Sequence, residues 1–223
     1  MFNAKKRKEA RMKSEGAIIA DKKYNTIIGG TLLYGFILNA IMVMLTGNFF
    51  MEFATQHYIA FLIGYFISAI IGSCMVNFSR SPVVSFIGYN FIVVPIGAVL
   101  AICLPGYSIG LILSAILITA VISAIMMLLG SMFPQFFSKL GLTLFIALVV
   151  GIIAEGVATL LGYGGDLFNW LFVVIFSLYM GYDWYKAQAY PKTVDNAIDS
   201  AVDLYLDIIN LFIRLLEIFG KKD

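Results

Sequence analysis

The chain reads as an all-α membrane protein with seven transmembrane helices, and three observations predict that class. Of its 223 residues, 61% are hydrophobic and only 13% charged, where a soluble domain is nearer half apolar and one quarter charged. Mean hydropathy is +0.94. Apolar runs of about 20 residues, the length that crosses a bilayer's hydrocarbon core, recur between short clusters of Gly, Pro, Asn and charge.

Residues 1–23 differ in kind from the rest and hold eight Lys/Arg, including Lys5-Lys6-Arg7-Lys8. No apolar stretch of signal-peptide length follows them, so the segment reads as a cytoplasmic tail that anchors topology and attracts anionic lipid. A run this short does not point to nucleic acid.

Residues 24–220 form the transmembrane domain. Span one covers about Tyr24–Leu45 and ends before Thr46-Gly47-Asn48. The second, about Tyr58–Phe78, closes at Ser79-Arg80-Ser81-Pro82. Span three runs about Val83–Leu104, with Pro95 inside it freeing the carbonyl of Phe91. The fourth runs about Ile109–Met132, and Pro134, Lys139 and Gly141 mark a loop before span five, about Leu142–Leu161. A Gly162-Tyr163-Gly164-Gly165-Asp166 turn leads to span six, about Leu167–Trp184, and span seven is about Asn196–Phe219. Residues 221–223 are a short tail. Small residues at Gly29-Gly30, Ala69 with Ser73, and Gly97-Ala98 with Ala101 read as helix-packing positions.

With the N-terminus inside, twelve of the fifteen Lys/Arg fall on cytoplasmic flanks, among them Arg80, Lys139, Lys186 and Lys192. Lys221 and Lys222 dissent, and a re-entrant last helix would reconcile them. Cys74 and Cys103 lie in apolar runs and read as buried thiols. The lone His57 has no Cys or His at ligand spacing, so the chemistry calls for no cofactor and no transition metal.

Span seven carries the most information. At about 100° per residue, Asp199, Asp203, Asp207, Asn210, Arg214 and Glu217 share a stripe about 80° wide, and Leu and Ile cover the rest. A charge in the bilayer core costs roughly 2.5–3.5 kcal/mol, so the stripe must face protein or water. Asp183 on span six and Asp207 on span seven both fall in the inner half of the membrane. Facing one another in low dielectric, they would resist double ionisation and share a proton. Ionised, they offer hard oxygen ligands suited to Ca²⁺. Arg80 lies at a depth where it could pair with Asp183. The blander reading makes Asp183 an interfacial cap paired with Lys186. Asp203, Arg214 and Glu217 either shape a pore or neutralise one another, and Glu155 faces a cavity or pairs with Arg214. Asp195 and Asp199 suit a helix start.

Leu204–Leu216 (L-Y-L-D-I-I-N-L-F-I-R-L-L), preceded by Tyr179–Asp183 (Y-M-G-Y-D), resembles the Bax inhibitor (TMBIM) family, most specifically over about Phe176–Gly220. The resemblance implies a central last helix surrounded by six others. It also implies a pH-dependent calcium leak, with a di-aspartyl sensor on Asp183 and Asp207 and a latch arginine whose counterpart by span position is Arg80. Asn210 belongs to the motif without an assigned role. Asp203 and Arg214 depart from many bacterial members toward the eukaryotic branch.

The leading expectation is a non-enzymatic, pH-sensitive Ca²⁺ leak channel moving Ca²⁺ and H⁺ across lipid. The alternatives are a regulatory or scaffold protein acting on a membrane partner such as a protease, and a proton-coupled transporter. An intramembrane aspartyl protease fits poorly, since Leu204-Tyr205-Leu206-Asp207 stands where such enzymes need Gly-x-Gly-Asp. The expected location is a bacterial inner membrane, or alternatively the endoplasmic reticulum.

Overall fold

Long apolar runs without strand-like alternation favour helix, because only helices and closed barrels satisfy every backbone group in lipid. A computed structural model describes residues 11–12, 16–163 and 165–220 and, among them, shows helices and no strand. In chain order the helices are α1 (Asp21–Gln56), α2 (Tyr58–Phe78), α3 (Pro82–Cys103), α4 (Ile109–Met132), α5 (Pro134–Phe137), α6 (Gly141–Leu160), α7 (Asp166–Ala189) and α8 (Val194–Gly220). A 3₁₀ turn, Leu104–Gly106, follows α3. The expected basic run Lys5–Lys8, the tail pair Lys221 and Lys222, and Gly164 lie outside the described residues.

Six helices, α1 to α4, α6 and α7, are long and apolar enough to cross a membrane by length and composition. Their surfaces agree: Ile63, Ile70, Leu117, Leu128, Ile153 and Leu160 are among many large apolar side chains left exposed. That much exposed apolar surface is tolerable only against lipid or another protein. The seventh expected span, α8, has 27 residues, about 40 Å of helix, but its charges keep it out of that set.

Two boundaries differ from expectation. α1 continues through Thr46-Gly47-Asn48 to Gln56. Thr46 donates its hydroxyl to the Met42 carbonyl at 2.6 Å, so a turn-forming residue is absorbed into the helix. The loop after α4 contains the short helix α5, opened by Pro134 at its first turn.

The chain divides into two compact units, residues up to Gly106 with Tyr190–Val202, and Tyr107–Ala189 with the residues from Asp203 onward. In the first unit, α3 packs against both α1 and α2. A Cβ on Gly72 of α2 would sit 2.6 Å from the Gly88 carbonyl of α3, so these glycines set the helix approach. Gly97 packs closely against Asn39 and Met42, whereas a Cβ on Gly29 or Gly30 would meet nothing within 4 Å. That corrects the expectation that Gly29 and Gly30 are packing positions. Cys74 and Cys103 are exposed rather than buried. Pro95 lies inside α3, and Ser68 of α2 donates to the freed Phe91 carbonyl at 2.7 Å.

In the second unit, α7 packs against α4 and α6, and α5 touches both α4 and α7. A Cβ on Gly130 would meet the Gly181 carbonyl at 2.5 Å. The α6 terminus closes with Gly162 at φ 79°. Its N–H donates to Thr159 and the next, from Tyr163, to Ala158. Those two bonds satisfy carbonyls left over by the last turn, a role that favours glycine at the left-handed position.

Candidate functional site

The stripe on α8 resolves into three groups of partners. Its first turns, Val194–Val202, belong to the first unit and its later turns, from Asp203, to the second.

Thr193 caps the α8 start, accepting from the Asn196 N–H at 3.2 Å. Asp195 accepts from Ser85 Oγ at 2.9 Å, and Asp199 pairs with Arg11 at 3.3 Å. Arg11 also lies over the Tyr190 ring at 5.3 Å, and its carbonyl accepts from Asn196 Nδ2 at 3.1 Å. Tyr24 bonds Ser200 at 3.2 Å. Both acids lie near the helix start as expected, and each has a further partner that sequence reasoning missed. Nearby Lys192 stacks over Tyr24 at 4.6 Å, and burial pushes its ammonium below the usual range, with Asp21 opposing.

The second group is the acid cluster. Asp183 is 9% exposed and Asp207 6%, and the two lie within electrostatic reach of each other. Two carboxyl groups so placed in low dielectric resist double ionisation. Asp203 and Lys186 lie within electrostatic reach of Asp207. Lys186 Nζ contacts Asp183 Oδ1 at 2.6 Å and Asp203 Oδ2 at 3.7 Å. Three acids therefore surround one ammonium. The two helices position them: Asp183 and Lys186 are three residues apart on α7, and Asp203 and Asp207 four apart on α8, each pair on one face. Asp207 Oδ2 is buried with no hydrogen-bond partner among the described residues.

Two carboxyl groups supply few of the six to eight oxygens that Ca²⁺ takes. Among the described residues no three His, Cys, Asp or Glu side chains gather at metal-holding geometry.

The third group lies about 10 Å further along α8. Arg214 forks onto Glu155 of α6, Nη1 to Oε1 at 2.5 Å and Nη2 to Oε2 at 2.8 Å. Nη1 also donates to Asn169 of α7 at 2.8 Å, and the guanidinium lies 4.3 Å from the Phe172 ring centre. Glu217 is a looser neighbour at 3.6 Å. Of the two readings open for Glu155, pairing with Arg214 is the one seen. Asn210 turns inward on its own helix, donating to the Leu206 carbonyl at 2.7 Å.

Arg80, the expected latch, follows α2 in the first unit and is exposed, while Asp183 belongs to the second. Sequence reasoning missed Asn169 and Ser85, whose uncharged polarity left no mark on the hydropathy pattern.

Comparison with known proteins gives three matches. The family model described as "Inhibitor of apoptosis-promoting Bax1" matches residues 17–223. An uncharacterized protein of Helicobacter pylori (strain ATCC 700392 / 26695) is 31% identical over 115 residues, 50% of this chain and 48% of that protein. A second, from Helicobacter pylori (strain J99 / ATCC 700824), is 36% identical over 87 residues, covering 37% of this chain and 36% of its own. The chain thus covers about half or less of the length of these curated relatives.

Proposed function

This chain belongs to the Bax inhibitor family, the inhibitors of apoptosis-promoting Bax1, and from that premise we propose that it is a pH-sensitive cation leak pathway, with Ca²⁺ as the permeant ion. The observation that carries the reading is the Asp183–Asp207 carboxyl pair, both members buried and within electrostatic reach of each other on α7 and α8.

With a proton between them the two groups attract and hold α7 against α8. When the proton leaves, two anions face each other in low dielectric and repel. Raising pH therefore favours a parted, conducting state, and lowering it favours the closed one. In that state both carboxylates offer hard oxygens to a divalent cation. Under this reading α8 makes the seventh crossing, and Ala197, Ala201, Leu204, Tyr205 and Leu211 on it are fully buried. The basic flanks argue for a cytoplasmic N-terminus, in a bacterial inner membrane. The leak is not an enzymatic reaction, and Arg80 remains the latch implied by span position.

The test is Ca²⁺ flux in liposomes across a pH series, with Asp183→Asn and Asp207→Asn alongside wild type. Wild-type flux should rise with pH and both variants should lose the dependence. An unchanged profile in Asp207→Asn overturns the proposal. A wild-type protein that passes no Ca²⁺ but co-purifies with one membrane partner would instead support a regulatory role.

A further inference from the structure

Lys186 does more than neutralise a neighbour, and we propose that its ammonium is a tethered cation that competes with the permeant ion for the acid cluster. The inference rests on the leak reading above and deepens it by naming what sits in the path when no ion does.

An i,i+3 Lys–Asp pair on an exposed helix has almost no energetic consequence. This one is different in three respects. Asp183 is buried, so the 2.6 Å contact with Nζ is made in low dielectric, where a charge-assisted bond is strong. The same Nζ reaches across to Asp203 of α8 at 3.7 Å, so one ammonium bridges the two helices that carry the acid pair. Beside this bridge, Asp207 Oδ2 is buried with no hydrogen-bond partner among the described residues, an oxygen open to a second cation.

A divalent ion cannot take Asp183 Oδ1 while an ammonium lies 2.6 Å from it. Two like charges cannot share that oxygen in low dielectric at small cost. Lys186 must withdraw as the ion enters. It can do so, being a flexible four-carbon chain with a compact charged head. The Tyr182 ring, 4.9 Å from Nζ, offers a cation–π resting place on the same helix. The ammonium thus sets a threshold: an ion passes only if it binds the carboxylates better than the tethered charge does, which favours divalent over monovalent cations.

The experiment is Ca²⁺ and Na⁺ flux through the full-length chain in liposomes at one fixed pH. Lys186→Gln should raise Ca²⁺ leak about tenfold, as expected when a part-buried charge contact is lost, and should raise Na⁺ leak more, lowering selectivity. Lys186→Arg should stay near wild type. If the glutamine variant folds poorly, Lys186→Cys in a Cys74→Ser, Cys103→Ser background answers the same question. Tethering an aminoethyl group to that cysteine should restore the low leak, and a neutral methylthio group should not. Equal leak with both reagents, or Lys186→Gln flux at the wild-type level, overturns the inference. The leak reading fails separately, if Asp207→Asn leaves the pH profile intact.

Discussion

The second unit holds two charged clusters about 10 Å apart along α8, built from the same residue types and wired in opposite ways. Around Arg214, a single cation meets a bidentate carboxylate, an amide oxygen and an aromatic face, so its fork and its face are both occupied. Around Lys186, one cation bridges acids on two helices, and the neighbouring Asp207 Oδ2 is buried with no hydrogen-bond partner among the described residues. A saturated cluster holds helices together and has nothing left to respond with. An unsaturated one gives up some stability and keeps a charge that solution conditions and passing ions can act on.

That contrast can be broken first at Glu155. Glu155→Ala strands the largely buried Arg214 and should cost about 2–3 kcal/mol, below the roughly 3–5 kcal/mol of a fully buried pair because both side chains keep some exposure. Thermal or denaturant unfolding in detergent would read it, and the pH profile of flux should keep its shape. If the profile flattens instead, the Arg214 cluster is not purely structural. Asp207→Asn should do the reverse. Its unfolding free energy should stay within about 1 kcal/mol of wild type, because an amide keeps the size and polarity of the side chain and removes a charge from a buried site, while the pH dependence of Ca²⁺ flux disappears. Asn169→Ala removes one acceptor from a guanidinium that keeps its carboxylate, and should cost about 1 kcal/mol in the same unfolding assay. Smallest is Glu217→Gln. Its carboxylate is 39% exposed and 3.6 Å from Arg214, so a change beyond about 0.5 kcal/mol would show that the cluster extends further than drawn.

What the sequence could and could not reveal follows from the same physics. Spans two to six lie within a few residues of α2, α3, α4, α6 and α7, because apolar length is a strong signal and Pro or Gly marks most boundaries. The overrun of α1 past Thr46-Gly47-Asn48 was not legible. Those residues are ordinary turn formers, and only Thr46's bond to its own helix and the close approach of Gly47 to the Ala101 carbonyl explain their place in a helix.

In the site, the acid pair was legible from the angular stripe together with the family resemblance. Lys186 was visible too, but as a helix-end neighbour of Asp183, since its reach to Asp203 depends on how α7 and α8 approach. Arg11 counted as one more basic tail residue, yet it is 5% exposed against Asp199. A count of positive charge says nothing about which one finds a carboxylate.

One small feature of the first unit constrains the order in which this sequence can change. Pro95 removes a backbone donor, and Ser68 on the neighbouring helix supplies the missing hydrogen bond to Phe91. Each residue makes sense only in the presence of the other. While proline stands at 95, serine at 68 is hard to lose, because its loss would leave a bare carbonyl in an apolar setting. Once an ordinary residue returns at 95 and restores the helical bond, position 68 is released to drift. The two sites, 27 positions apart in the chain, should therefore vary together, and a substitution harmless in one relative can be harmful in another.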